Sequence, residues 1–251
     1  LILPATAIAK WGFDGMVVGI IVAMILLSPA LFWLPASGTK GSHEETLPDA
    51  SESIEKTHVL GIWLTLLGTL VFFTGASALW SFTERIGTVV GFDAASIGIL
   101  LSVTLVFATS GSLLAAAMAD RFGNLKPFLA GGGGFLLALV FLNSAQNFHY
   151  YAIGACILTF VIGLALPYAV AEIAELDKDG RFIVLSVPAI GTGAMFGPGI
   201  AGVLAEGTDF VPLLIFGAIA IVLSSSLFII AHLAALVKTK ERAGEQPNHA
   251  H

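Results

Sequence analysis

Four short segments hold most of the residues in this chain that could do chemistry beside its long apolar runs. The first is Ala119-Asp120-Arg121-Phe122-Gly123-Asn124-Leu125-Lys126-Pro127. Asp120 at a helix end can face the positive N-terminus of another helix. Arg121 can pair with an acid on a neighbouring helix end, and Gly123 permits a tight turn. Such a cluster could latch two helical units in one state and release them in another; a plain basic turn is the simpler reading. The second segment runs Glu172-Ile173-Ala174-Glu175-Leu176-Asp177-Lys178-Asp179-Gly180-Arg181. If helical, it puts Glu172 and Glu175 on one face. Arg121 is then expected to pair with one of them, and Arg181 with another local acid.

The third segment is Trp80-Ser81-Phe82-Thr83-Glu84-Arg85-Ile86-Gly87. A carboxyl beside aromatics at an apolar boundary can exchange protons or bind a cation. Arg85 could instead neutralise Glu84, leaving an interfacial ion pair in an aromatic belt. The fourth, Gly193-Ala194-Met195-Phe196-Gly197-Pro198-Gly199-Ile200-Ala201-Gly202, spaces small residues one turn apart. Small residues let helices approach, and Pro198 removes a backbone donor and can bend its helix. Gating and ordinary close packing are both open for Gly193, Gly197, Pro198 and Gly202. Other polar candidates are sparse: Tyr168 follows Pro167, and Phe72, Phe73 and Thr74 lie within one apolar run.

Catalytic sets are missing from this sequence. It holds no His-x-x-Glu-His metal motif, no Gly-x-Ser-x-Gly elbow and no phosphate loop. Between Ala94 and Ala171 the only charged residues are Asp120, Arg121 and Lys126, too few for a membrane-embedded enzyme. We therefore expect neither an enzyme nor a cofactor. His43 with Glu44 and Glu45 lacks a second ligand cluster, so no metal is expected there. The one cysteine, Cys156, excludes an intrachain disulfide. The net charge of -6 comes with no basic stripe, which argues against nucleic acid.

The elements that must position these residues follow from solvent. The chain is 57% hydrophobic and 11% charged, against roughly 25% charged in soluble domains. From Pro127 to Ala171 it has no Asp, Glu, Lys or Arg. A bilayer span needs about 20 mostly apolar residues, so this stretch can hold two. The runs predict an all-α integral membrane protein of seven spans, near 13–34, 59–82, 94–119, 127–142, 150–171, 182–205 and 211–237. Residues 35–58, with five acids, read as a solvated linker, and 238–251 as a polar tail. Alternating spans put nine of the eleven basic residues on the side of the linker, the Arg121 turn, the Arg181 turn and the tail. Only Lys10 and Arg85 fall on the other side. The basic side is expected to be cytoplasmic. The first apolar stretch starts abruptly at Leu1, so a fragment of a longer protein is expected.

The Asp120-Arg121-x-Gly123 turn resembles the signature loop of the major facilitator superfamily, which recurs once in each six-helix half. Ala116 replaces a frequent glycine and Asn124 a frequent second arginine, a degeneracy similar to that of second halves. The Gly193–Gly202 run resembles the family's Gly-x-x-x-Gly-Pro-x-x-Gly-Gly helix, with Ala201 in place of one glycine. The order of one span, a polar linker and six further spans resembles helices six to twelve of that fold. Residues 1–34 would end the N-terminal bundle, and 59–237 would form the C-terminal bundle.

The resemblance implies a secondary active transporter of a small solute, working by rocker-switch alternating access and coupled to protons. A non-transporting sensor or assembly subunit on the same scaffold is the alternative. It further implies a bacterial inner (plasma) membrane, the lipid bilayer as surroundings and a missing N-terminal half, without which this piece would be inactive. Trp80, Glu84, Arg85 and Tyr168 would lie on cavity-lining helices. Asp120, Arg121, Gly123, Glu172, Glu175 and Arg181 would form the cytoplasmic latch. The few polar cavity candidates lean toward a weakly polar or amphipathic solute.

Overall fold

The computed structural model describes the backbone of residues 52–244 except 119, 120, 122, 178, 179 and 206, and side chains within 59–234. The expected span at 13–34, most of the linker, Asp120 and the last residues of the tail lie outside the described residues. Six α-helices follow in order: α1 Glu52–Val90, α2 Ala94–Met118, α3 Leu125–Asn143, α4 Phe148–Leu176, α5 Ser186–Leu204 and α6 Val211–Gly244. A 3-10 turn, Ile183–Leu185, leads into α5. Among the described residues there is no strand. All six helices are long and apolar enough to cross a membrane.

The last six expected spans each correspond to one helix, but several ends move. The linker was expected to run to residue 58, whereas α1 already begins at Glu52. The run Glu52-Ser53-Ile54-Glu55-Lys56 is polar but holds no helix breaker, so polarity marks the membrane boundary and not the helix end. In the same way α6 continues to Gly244, past the last apolar window at Ala234. The four consecutive glycines, Gly131 to Gly134, lie inside α3 without interrupting it. In hydrocarbon a helix must satisfy its own backbone, so glycine breaks helices far less than in water.

Helix starts at one end of the bundle are set by short polar caps. Asp93 Oδ2 accepts from Ser96 N at 2.8 Å ahead of α2. Asn147 Oδ1 accepts from His149 N at 2.9 Å at the start of α4. Asp209 Oδ1 accepts from Val211 N at 2.9 Å at the start of α6. Hydrogen bonds from Ser96, its backbone N–H first, hold the Asp93 carboxyl below the usual carboxylate range. Within the helices, buried hydroxyls bond back to their own turn, as Thr65 does to Gly61 O and Thr83 to Leu79 O, both at 3.0 Å.

Packing pairs the helices unequally. α1 lies against α5, α6 and α4, while α4 also meets α2 and α3. Two aromatic sets fill the centre: Phe72 beside Phe128 and Phe135, and Phe128 stacked on Phe228 with centroids 4.0 Å apart. α2 and α5 sit at the flanks, held by close approaches at glycine. A Cβ on Gly111 of α2 would strike the Phe160 carbonyl oxygen of α4. A Cβ on Gly163 of α4 would strike the Ala108 carbonyl oxygen of α2. Ser112 Oγ donates to Gly163 O at 2.9 Å across this contact.

These contacts are with backbone, which cannot swing aside as a side chain can. Gly163→Ala should therefore destabilise the bundle by about 1–3 kcal/mol, read as a lower thermal midpoint in detergent. Gly199, also helical but with nothing within 4 Å of its missing Cβ, should tolerate alanine with no loss. Equal loss in both variants would show that backbone approach is not what holds α2 to α4.

Candidate functional site

The Arg121 turn and the C-terminal end of α4 meet at one end of the bundle. Gly123 takes φ +68, the left-handed conformation that favours glycine. That bend brings Asn124 Nδ2 to Glu175 Oε2 at 2.8 Å. Glu172, one turn earlier on α4, does not share this exposed face. Its side chain is 2% exposed, and its Oε1 lies 3.1 Å from His232 Nδ1 of α6. Among the described residues, no ion pair joins Arg121 to Glu172 or Glu175, so the expected pairing is not formed here. The reason is geometric. A three-residue step turns about 60° round a helix, enough to send Glu172 inward and leave Glu175 to the shorter Asn124.

Arg181 enters the same corner through its backbone. Asp177, buried beyond the end of α4, accepts from Arg181 N at 3.2 Å, Phe182 N at 2.6 Å and Ile183 N at 2.7 Å. Asp177 thus spends its oxygens on the backbone of the turn into α5; the other local acid, Asp179, lies outside the described residues. Asp177 was not singled out by sequence, although its place three residues before Gly180 marks a turn acceptor.

Trp80 and Glu84 separate from one another along α1. Trp80 is half-buried and lines a cavity of about 250 Å³ with Phe73, Ala76, Ser77, Leu105, Ala108 and Thr159. Its walls come from α1, α2 and α4. The two hydroxyls there are already committed: Ser77 to Thr74 O and Gly193 O, Thr159 to Ala155 O and Cys156 O. Glu84 is exposed and outside this cavity. Arg85 places its guanidinium carbon 5.5 Å from the Phe82 ring centroid, a cation–π contact suited to a membrane boundary. Tyr168 is buried elsewhere, donating to Ala115 O at 3.5 Å. It borders a separate cavity of about 180 Å³ that Asn124, Pro167 and Ser112 also line.

Gly193, Gly197 and Ala201 form a buried stripe on α5. A Cβ on Gly193 would meet Leu70 O at 2.5 Å, and one on Gly197 would strike Ser77 Oγ. Pro198 and Gly202 are exposed and turn away from α1. The run therefore has a packing face and an outward face. Sequence reasoning missed the matching Gly111–Gly163 contact and His232. A small-residue spacing Ala108-x-x-Gly111-Ser112 signalled the first, and a lone histidine within the last apolar run signalled the second.

The Major Facilitator Superfamily family model matches residues 65–250. The chain belongs to the Major Facilitator Superfamily. No curated protein and no solved structure matched it. Membership makes it an integral membrane protein of a transporter family, and the six described helices suit that assignment.

In this facilitator-family chain, the loop after α4 offers a clean test of the corner it shares with the Arg121 turn. Asp177→Ala removes the acceptor of three backbone N–H groups. It should cost about 1–3 kcal/mol and speed amide exchange at Arg181, Phe182 and Ile183. Unchanged protection at these three amides would show that the carboxylate does not hold the turn.

Proposed function

We propose that this chain is the C-terminal part of a secondary active transporter that moves a small, largely apolar or amphipathic solute by alternating access. The observation carrying this reading is the Trp80 cavity. It has aromatic and aliphatic walls, and its hydroxyls are committed to backbone carbonyls. A site of this kind binds by shape and apolar contact, with few polar fixings. A strongly polar solute would leave its own donors and acceptors unmatched there.

The rest of the proposal follows the family architecture. A further bundle, N-terminal to α1, supplies the facing half of the cavity, so residues 59–237 alone do not transport. Asp120, Arg121, Gly123, Glu172, Glu175 and Arg181 lie in the segments that would form the latch between the halves. The basic count supports a cytoplasmic position for this end, and a bacterial inner membrane is the proposed location. A proton gradient is the proposed driving force. Glu84, exposed beside Arg85, is a weaker candidate for coupling than its sequence position implied, because water can reach and satisfy it.

Transport by the intact protein in proteoliposomes tests this reading, with a panel of amphipathic cations and neutral solutes as probes. Trp80→Ala should lower uptake or efflux by at least about tenfold, as loss of a cavity wall does when binding is apolar. Arg121→Glu should also lower it, and adding Glu175→Arg should recover part of the loss if the latch pairs these residues in another state of the cycle. No solute of the panel moving with a pH gradient would favour a sensor or assembly subunit instead.

A further inference from the structure

Glu172 and His232 form the most deeply placed pair of titratable side chains among the described residues. They join α4 to α6, with Nδ1 and Oε1 3.1 Å apart. The glutamate side chain is 2% exposed, the histidine 33%. The second carboxyl oxygen, Oε2, is buried and has no hydrogen-bond partner among the described residues. Buried hydroxyls on α1 and α6 are committed: Thr65 to Gly61 O, Thr69 to Thr65 O and Ser224 to Gly68 O. A bare carboxylate oxygen in such a wall is costly unless a proton or a cation neutralises it.

We infer that Glu172 and His232 form a proton-binding site that bolts α4 to α6 in the packed conformation. With its proton the pair is neutral overall, as imidazolium and carboxylate or as imidazole and carboxylic acid. Release sends the proton from Nε2 to water on the exposed side of the ring. The imidazole, now neutral, keeps Nδ1–H on Oε1, and the pair carries one negative charge. That charge, with Oε2 unpartnered, favours water entry and separation of the two helix ends. As the place where the proposed transporter carries its proton, the site rests on that reading; as a proton site it does not.

Among the described residues, few other groups could set the charge of this pair. α1 has no titratable residue between Val59 and Thr83, nor has α6 between Val211 and Ala231. α2 between Ala94 and Met118, and α5 throughout, have none. α3 brings Lys126, which is exposed in its first turn. Near Glu172, α4 and the turn after it bring Glu175, held by Asn124, Tyr168, whose hydroxyl faces Ala115, and Asp177 with Arg181, the aspartate accepting from the turn's backbone; His149, Tyr150, Tyr151 and Cys156 lie in the other half of α4. Lys56, His58 and Lys238 flank these segments, with side chains outside the described residues.

Hydrogen exchange of the intact protein in lipid nanodiscs reads the bolt directly. Wild type and Glu172→Gln are compared from about pH 5.5 to about pH 8.5, the range over which histidine sites change charge, after correction for intrinsic exchange. In the wild type, amides at the Glu172 end of α4 and the His232 end of α6 should exchange about tenfold faster at the high end, a local opening of roughly 1.4 kcal/mol. Glu172→Gln, uncharged at every pH, should stay protected throughout. Should Glu172→Gln fold poorly, Glu172→Leu, equally unable to ionise, serves, and it too should lose the rise. A flat wild type, or an equal rise in the variants, would overturn the inference. Because no solute is involved, failure of transport would count against the transporter reading and leave this result untouched.

Discussion

Everything in this bundle depends on how helices cohere where there is no water to expel. Hydrocarbon is as apolar as a leucine side chain, so burial alone gives neighbouring helices little reason to stay together. Close backbone approach supplies the reason, through dispersion contacts and occasional cross-helix hydrogen bonds. Two such approaches organise the chain. α5 lies on α1 through Gly193 and Gly197, and α2 lies on α4 through Gly111 and Gly163. Each is fastened by one serine: Ser77 Oγ to Gly193 O at 3.3 Å, and Ser112 Oγ to Gly163 O at 2.9 Å.

The same constraint shapes the candidate site. Ser77 sits both in the α1–α5 contact and in the wall of the Trp80 cavity. Ala108, whose carbonyl meets Gly163, lines that cavity as well. Close packing of α1 on α5 and of α2 on α4 thus sets the wall positions, and the hydroxyls it consumes leave the wall apolar. A shift of α2 or α5 would alter the cavity without any change in the helices' own hydrogen bonds. Rigid helices sliding on small-residue contacts are what alternating access needs.

Much of this was legible in the sequence because the bilayer imposes length. Among the described residues the apolar runs give one helix each, and the Asp-Arg-x-Gly turn and the glycine-proline run resemble the superfamily whose model matches the chain. The ends were less legible, since α1 runs on through Glu52-Ser53 where hydropathy has already fallen. Pairings were least legible. Glu172 and Glu175 look equivalent along the chain, yet one is buried against His232 and the other held by Asn124. That split depends on where α6 lies, sixty residues away in sequence, and no local pattern encodes it. Gly111 and Gly163 are likewise hard to rank from sequence, because a glycine's value in a membrane helix is set by the partner it admits.

α1 and α5 touch through the Gly193–Gly197 face, and this contact positions the cavity wall. Disulfide trapping in membranes tests it most directly. In a chain with Cys156→Ala and a protease site in the loop before α5, Ser77→Cys is combined with Gly197→Cys or with Gly199→Cys. The Ser77→Cys, Gly197→Cys pair should bridge rapidly on mild oxidation and hold the two proteolytic fragments together, while the Gly199→Cys pair should not. Equal trapping of both pairs, or none with Gly197→Cys, would show that α1 and α5 do not meet through this face.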